Sequence, residues 1–185
     1  IPLHFGRIQF VRNQFNILKT ESNSQLSQLL QTNGFANSEQ MTVSVGIDRD
    51  SRDYPMSPKS GHFLKNQIHF HKFKDLDNDQ QVFFQSYDID WRFYNSLSDK
   101  LVLVNQFFAG HLSKSEIPFQ AMYSIGGNNS MRGYYNGQYR HQDLIMNQNE
   151  LRGTITDKWG WDTFFSLAKL GSRWSDIRDS YTHLS

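Results

Sequence analysis

The 185-residue chain contains no cysteine. That excludes a disulfide scaffold and any thiolate-bound metal, and it leaves the redox compartment open. Net charge is almost absent: 19 basic residues against 18 acidic ones give +1 at pH 7. Such a balance argues neither for nucleic-acid binding nor for steering an acidic substrate. No apolar run approaches the ~18 residues that a membrane-crossing helix requires. The residues after Ile1 show neither a basic n-region nor an apolar h-region and do not read as a signal peptide. By length, a single domain over residues 1–185 is expected.

What the chain does have is aromatic residues, with Phe 15, Tyr 8 and Trp 4, set in a sequence of low mean hydropathy, −0.64. A helical membrane protein does not combine these. A transmembrane β-barrel does, because alternate residues face lipid and a polar lumen, so that the average is unremarkable. A soluble all-β domain combines them too, and patterning has to separate the two.

Alternation is clear in several runs. In Met41–Asp50, Val43, Val45 and Ile47 oppose Thr42, Ser44, Gly46 and Asp48, which is a strand with one solvated face. In Phe63–Phe73, Leu64, Ile68 and Phe70 oppose Lys65, Gln67, His69 and His71. Val82–Tyr94 is the most regular: Phe83, Tyr87, Ile89, Trp91 and Phe93 oppose Ser86, Asp88, Asp90 and Arg92. Leu144–Asp157 sets Leu151 and Ile155 against Gln148, Glu150, Arg152 and Thr154. His4–Lys19, Leu101–Gly110, Phe119–Ile125 and Trp161–Trp174 are further expected strands. The facing of Leu101–Gly110 stays open because both its sides are apolar. Thr20–Gln40 reads as an irregular connection with a helical turn near Ser24–Leu30, and Ser175–Ser185 as polar chain breaking off in mid-hairpin. About eight strands of roughly ten residues exceed the ~5–6 usual in soluble sheets and match the ~9–11 of a tilted transmembrane strand.

The segment Gly126–Tyr139, GGNNSMRGYYNGQY, is too long for a hairpin turn of about two to five residues. Its glycines permit sharp bends, and Met131, Tyr134 and Tyr135 need something to pack on. It reads as a loop that folds back and docks, with Arg132 as its charged tip. The run Met131-Arg132-Gly133-Tyr134 resembles the (V/I/M)-R-G-(F/Y) signature of BamA/TamA-type outer-membrane assembly and secretion barrels, the bacterial surface antigen barrels. The two-partner secretion transporters belong to the same superfamily. A second element, DRDSRDYPMSPKSGHFL, resembles that superfamily's D-x-R-D-x-x-x-x-P-x-x-G turn, with Asp48, Arg52, Asp53, Pro58 and Gly61 as its marked residues. A third, NQNELR around Glu150, follows downstream.

The resemblance implies an antiparallel transmembrane β-barrel, with about eight strands here out of a sixteen-stranded whole; an eight-stranded barrel closing on itself is the alternative. No POTRA-like repeat is visible. The implied role is insertion, assembly or secretion of outer-membrane proteins, without bond-making chemistry and without a cofactor. Implied partners are outer-membrane lipids, unfolded outer-membrane proteins and periplasmic or lipoprotein accessory subunits, with no nucleic acid. The implied location is the outer membrane of a Gram-negative cell or its organelle equivalent. In the family the loop arginine pairs with acids on the lumen wall, which makes Glu150 the expected partner of Arg132. The chain departs from the family where F-x-D-x-G is expected: Leu167-Ala168-Lys169-Leu170-Gly171 places a lysine at the acid's position. Lys169 would repel Arg132, so Glu150 serves alone, Asp88 or Asp90 compensates, or the loop sits differently.

Other chemistry is weakly signalled. Asp48, Asp50 and Asp53 lack EF-hand spacing and are offset by Arg49 and Arg52, so they read as a charged rim. His69 and His71 share a strand face but have no placed third ligand for a metal. Asp90 and Glu150 could form a hydrolytic acid pair only if the fold sets them ~5–10 Å apart. No Ser-His-Asp order or nucleophile elbow stands out. A barrel anchoring or exporting a fused upstream enzymatic domain, and a soluble β-sandwich binding module, are the competing functional readings.

Overall fold

The computed structural model describes residues 2–17, 36–114, 117–127, 130–172 and 182–184. Its strands are β1 (Leu3–Asn16), β2 (Asn37–Asp50), β3 (Gly61–Asp75), β4 (Gln81–Ser98), β5 (Leu101–Leu112), β6 (Tyr123–Ile125), β7 (Tyr139–His141), β8 (Asp143–Thr156), β9 (Trp159–Gly171) and β10 (Thr182–Leu184). The helical turn expected near Ser24–Leu30 falls outside the described residues. The end of the expected irregular connection is instead strand, since β2 begins at Asn37.

One antiparallel sheet of eight strands runs β1-β2-β3-β4-β5-β8-β9-β10, and β6 pairs with β7 in a separate two-stranded ribbon. The sheet is all-β and open: β1 and β10 are its edges and do not pair with each other. Among the described residues no second large sheet lies against it, which removes the sandwich arrangement. Its seven long strands have 12 to 18 residues, more than the ~9–11 a tilted strand needs to cross a bilayer.

Register aligns like with like across the strands. On one face Val43 lies beside Phe70, Val45 beside Ile68, and Ile68 beside Tyr87. This row continues through Phe83, Ile89, Trp91, Trp161, Phe165 and Leu167, all exposed despite their size, with Phe10 of β1 77% exposed. A contiguous apolar band of this extent belongs against hydrocarbon, not water. On the opposite face Ser44, His69 and Ser86 form one row, and Asp48, Lys65 and Asp90 another. That is the polar, lumen-facing side.

Three asparagines interrupt the apolar band. Asn105 Nδ2 donates to Asn149 Oδ1 at 2.7 Å, Asn149 Nδ2 donates to Asn147 Oδ1 at 2.8 Å, and Asn147 Nδ2 reaches the Gln106 carbonyl at 3.4 Å. Away from water an unmet amide is expensive, and these amides largely meet one another's needs.

The lumen face is not polar throughout. Toward the rim from which the β5–β8 connection departs, Phe73, Phe84, Leu112 and Ile117 form one buried cluster, and Ile125, Met131, Leu144, Met146, Ala168 and Leu170 another. Both are covered by the returning connection. This resolves the facing of β5: Val102, Val104 and Leu112 point into the lumen and are buried. The expected strand Phe119–Ile125 is instead a one-turn 3-10 helix, Phe119–Ala121, followed by the short β6, which belongs to the loop ribbon.

Candidate functional site

The β5–β8 connection folds back over the lumen face. The β6–β7 ribbon forms its stem, with Tyr123 opposite His141 and Ile125 opposite Tyr139. Beyond Ile125 the chain turns on Gly126, at φ +115, where a Cβ would sit 2.0 Å from the Tyr135 carbonyl oxygen. Only glycine fits that conformation and that approach. The loop then closes on itself through Gly126 N–H to Ser130 O, Gly127 N–H to Tyr134 O and Gly137 N–H to Ile125 O.

The tip is anchored by apolar packing and by charge. Met131 is fully buried among Ile125, Leu144, Met146, Ala168 and Leu170. Its φ of +60 is unusual for a residue with a Cβ, and its backbone N–H donates to Gln148 Oε1 on β8 at 2.9 Å. This holds the next residue over the wall. Arg132 Nη2 donates to Glu150 Oε2 at 3.1 Å and Nη1 to Asp162 Oδ2 at 3.3 Å, with its guanidinium 5.0 Å from the centre of the Phe164 ring. Glu150 also accepts from Arg152. Gly133, at φ +101, turns the chain away from the wall, and the Tyr134 ring meets Tyr139 edge-on at 5.8 Å.

Arg132 thus spans two adjacent strands, touching β8 at Glu150 and β9 at Asp162. Asp88 and Asp90 are engaged elsewhere, Asp88 with His69 and Asp90 with Arg92 and Gln106. The expected repulsion from Lys169 does not arise. Lys169 is paired in register with Ile145, whereas Glu150 is paired with Phe164, so the lysine stands on the apolar side of the sheet, away from Arg132. A cavity of about 330 Å³ lies beneath the loop, bordered by Arg92, Tyr94, Gln106, Arg132, Glu150 and Arg152 among others. Its arginines are met by carboxylates. Asp90 and Glu150 are both held in these ion pairs, so neither is placed as a free acid or base.

At the opposite rim, the β2–β3 turn explains the second sequence element. Asp53 Oδ1 accepts three backbone N–H groups, from Tyr54 at 2.9 Å, Lys59 at 3.0 Å and Ser60 at 3.2 Å. The Ser60 hydrogen bond foremost, then those from Lys59 and Tyr54, hold its carboxyl below the usual aspartate range. Gly61 sits at φ +97, where a Cβ would come 2.2 Å from the Ser51 carbonyl oxygen, and Pro58 is buried. Arg52 forks onto Asp50 at 2.7 and 2.9 Å and covers the Phe63 ring at 4.7 Å. The acid of this turn is therefore Asp50. Asp48 lies one pleat further along β2, fully buried, and accepts from Arg7 of β1 at 2.7 Å.

His69 and His71 face the lumen without forming a metal site: among the described residues no group of three potential ligands gathers. They sit in hydrogen-bond chains, His71 between Thr42 and Ser86, and His69 between Ser44 and Asp88. The latter is a Ser-His-Asp order that the sequence did not announce, because the three residues meet only through register on β2, β3 and β4. Ser44 is 3% exposed, and the cavity does not border it. Asp162 and Tyr123 were also missed. Asp162 shares the parity of Phe164 and Ser166, so the strand's period could have placed it; nothing local marks Tyr123.

A sheet with one lipid-facing apolar side, one polar side and a long loop returned across that polar side defines a transmembrane β-barrel with a lumen-docked loop. The family model described as the Omp85 superfamily domain matches residues 7–180, and the chain belongs to that superfamily. This is the superfamily of the BamA/TamA-type barrels, outer-membrane proteins associated in general with inserting or secreting other outer-membrane proteins. No match was found among curated proteins.

Proposed function

We propose that this chain forms the lumen wall and loop brace of an outer-membrane barrel that inserts, assembles or secretes other outer-membrane proteins, and that it does so without bond-making chemistry. The observation that carries the reading is Arg132: held over the wall by the buried Met131, it joins Glu150 on β8 to Asp162 on β9. A barrel whose work is to admit strands needs one weakly paired seam, since open strand edges recruit strands. The rest of its wall must resist the opening. A charged strut between adjacent strands, set on an apolar plug, supplies that resistance. The surroundings are hydrocarbon on the Val43–Phe70–Tyr87 side, and the substrates are unfolded outer-membrane proteins, with periplasmic or lipoprotein subunits delivering them.

The test uses the full-length protein reconstituted in liposomes. Arg132→Ala should lower the rate at which an unfolded outer-membrane protein folds into the bilayer, read by heat-modifiability on gels, while Arg132→Lys retains part of it. Wild-type rates in Arg132→Ala would overturn the brace.

A further inference from the structure

The loop has a second point of attachment, on the other flank of the sheet from Arg132. Ile117 and Pro118 are buried as the connection returns, and one helical turn later the chain lays the Tyr123 ring on β5. The position under that ring is Gly110, where a Cβ would lie 2.5 Å from the ring carbons. Phe108 meets the ring edge-on, with centroids 6.0 Å apart. Thus a missing side chain on the wall makes a seat, and an aromatic residue of the loop fills it.

The hydroxyl at the end of this ring is equally well placed. Tyr123 Oη donates to Asp88 Oδ1 on β4. The other Asp88 oxygen is 3.1 Å from His69 Nε2 on β3, and His69 Nδ1 is 2.7 Å from Ser44 Oγ on β2. With the His69 proton on Nε2, donated to Asp88, Nδ1 accepts from Ser44, and every group in the chain has a partner. Burial first, and the Asp88 charge second, push the Tyr123 phenol above its ordinary range, so it stays a donor at any working pH.

We propose that Tyr123 is a positioning residue that latches the base of the loop to the β2–β4 wall through Asp88, independently of the Arg132 latch on β8 and β9. This rests on the lumen-docked loop of the proposed function and adds its mechanics. Releasing Arg132 frees only the tip; the base stays seated on Gly110, and the tip swings about it. The loop leaves the lumen entirely only when the base at Tyr123 and the tip, Met131 with Arg132, are both detached.

Hydrogen exchange of the full-length protein, followed by mass spectrometry peptide by peptide, separates the two. Tyr123→Phe keeps the ring and removes the donor, and a lost hydrogen bond to a carboxylate shifts the local opening equilibrium by roughly tenfold or more. It should speed exchange by about that factor over residues 117–125 while residues 131–134 keep wild-type protection. Gly110→Ala, which unseats the ring, should do the same. Asp88→Asn, which still offers an oxygen to the hydroxyl, should stay closer to wild type than Asp88→Ala. Arg132→Ala should give the reverse pattern, loosening residues 131–134 alone. Unchanged exchange over 117–125 in both Tyr123→Phe and Gly110→Ala overturns the second latch, as does uniform loosening of the whole barrel by Tyr123→Phe. Unchanged exchange over 131–134 in Arg132→Ala strikes instead at the Arg132 brace and leaves the Tyr123 result to be read by itself.

Discussion

Truncating Arg132 to alanine removes three contacts of unequal worth. The Glu150 pair is the tighter: Glu150 has 16% of its side chain exposed against 56% for Asp162. A hydrogen bond to a charged group is worth about 1.5–3 kcal/mol when shielded from water, whereas exposed pairs give about 0.2–1 kcal/mol. Stacking over Phe164 adds ~0.5–1 kcal/mol at a partly wet site. A deeply buried carboxylate left alone would raise the cost to ~3–5 kcal/mol, but Glu150 keeps Arg152 as a second partner. The expected loss is therefore about 2–3 kcal/mol, at the low end of the shielded range with stacking added. Double-mutant cycles on urea unfolding in a bilayer should apportion it. Arg132→Ala with Glu150→Gln should show a coupling of ~1–2 kcal/mol, and Arg132→Ala with Asp162→Asn no more than ~0.5 kcal/mol. Equal couplings, or none to Glu150, would refute the ranking of the two contacts by exposure.

Three other outcomes follow from the same geometry. Gly61→Ala must relieve both a φ of +97 and an approach of 2.2 Å to the Ser51 carbonyl oxygen, so the β2–β3 turn should lose ~1–3 kcal/mol, read as a lower urea midpoint with unchanged slope. Replacing Asn105, Asn147 and Asn149 together by leucine should be neutral or stabilising in a bilayer, because removing both partners of a polar contact leaves nothing unpaired; a loss beyond ~2 kcal/mol would show that the cluster does not face lipid. Asp53 has a carboxyl held below its unfolded value, so its contribution is complete above the unfolded aspartate pKa of ~3.9 and is lost as pH falls through the lower folded value. Asp53→Asn, which keeps an acceptor oxygen without the titration, should flatten the fall of stability below about pH 4.

The strands were legible wherever two different media bathe the two faces. Val43, Val45 and Ile47 against Thr42, Ser44 and Asp48, and the longer series in β4, leave no doubt about period or side. Legibility failed where a third environment enters. Leu101–Gly110 is apolar on both sides, which leaves its facing open in the sequence; in the fold Val102, Val104 and Leu112 point into the lumen, Leu112 under the docked connection and Val102 and Val104 against Tyr94. The same connection took Phe119–Ile125 out of the sheet, which no local pattern could reveal. At the candidate site the Arg132–Glu150 contact matches what the family resemblance implies, and no residue pattern alone points to it. Lys169 stands at the acid's position in the motif, but strand parity overrides motif position: it shares parity with Phe165 and Leu167, which face away from Arg132. Asp48 and Asp50 stand on one face one pleat apart, and only the fold shows that Asp50 closes the turn while Asp48 meets Arg7. The Tyr123–Asp88–His69–Ser44 chain depends on register across three strands and on a glycine with no side chain to announce it.

Single-cysteine substitution along β4, in a chain without cysteine of its own, addresses the central claim most directly. Labels at Phe83, Tyr87, Ile89 and Trp91 should be quenched by lipid-borne quenchers and shielded from aqueous ones. Labels at Asp90 and Arg92, on the polar face, should respond to aqueous quenchers alone. A period-two exchange between the two responses is the predicted result; a uniform response along the strand, or quenching by lipid at Asp90 and Arg92, would contradict the barrel and the lumen together.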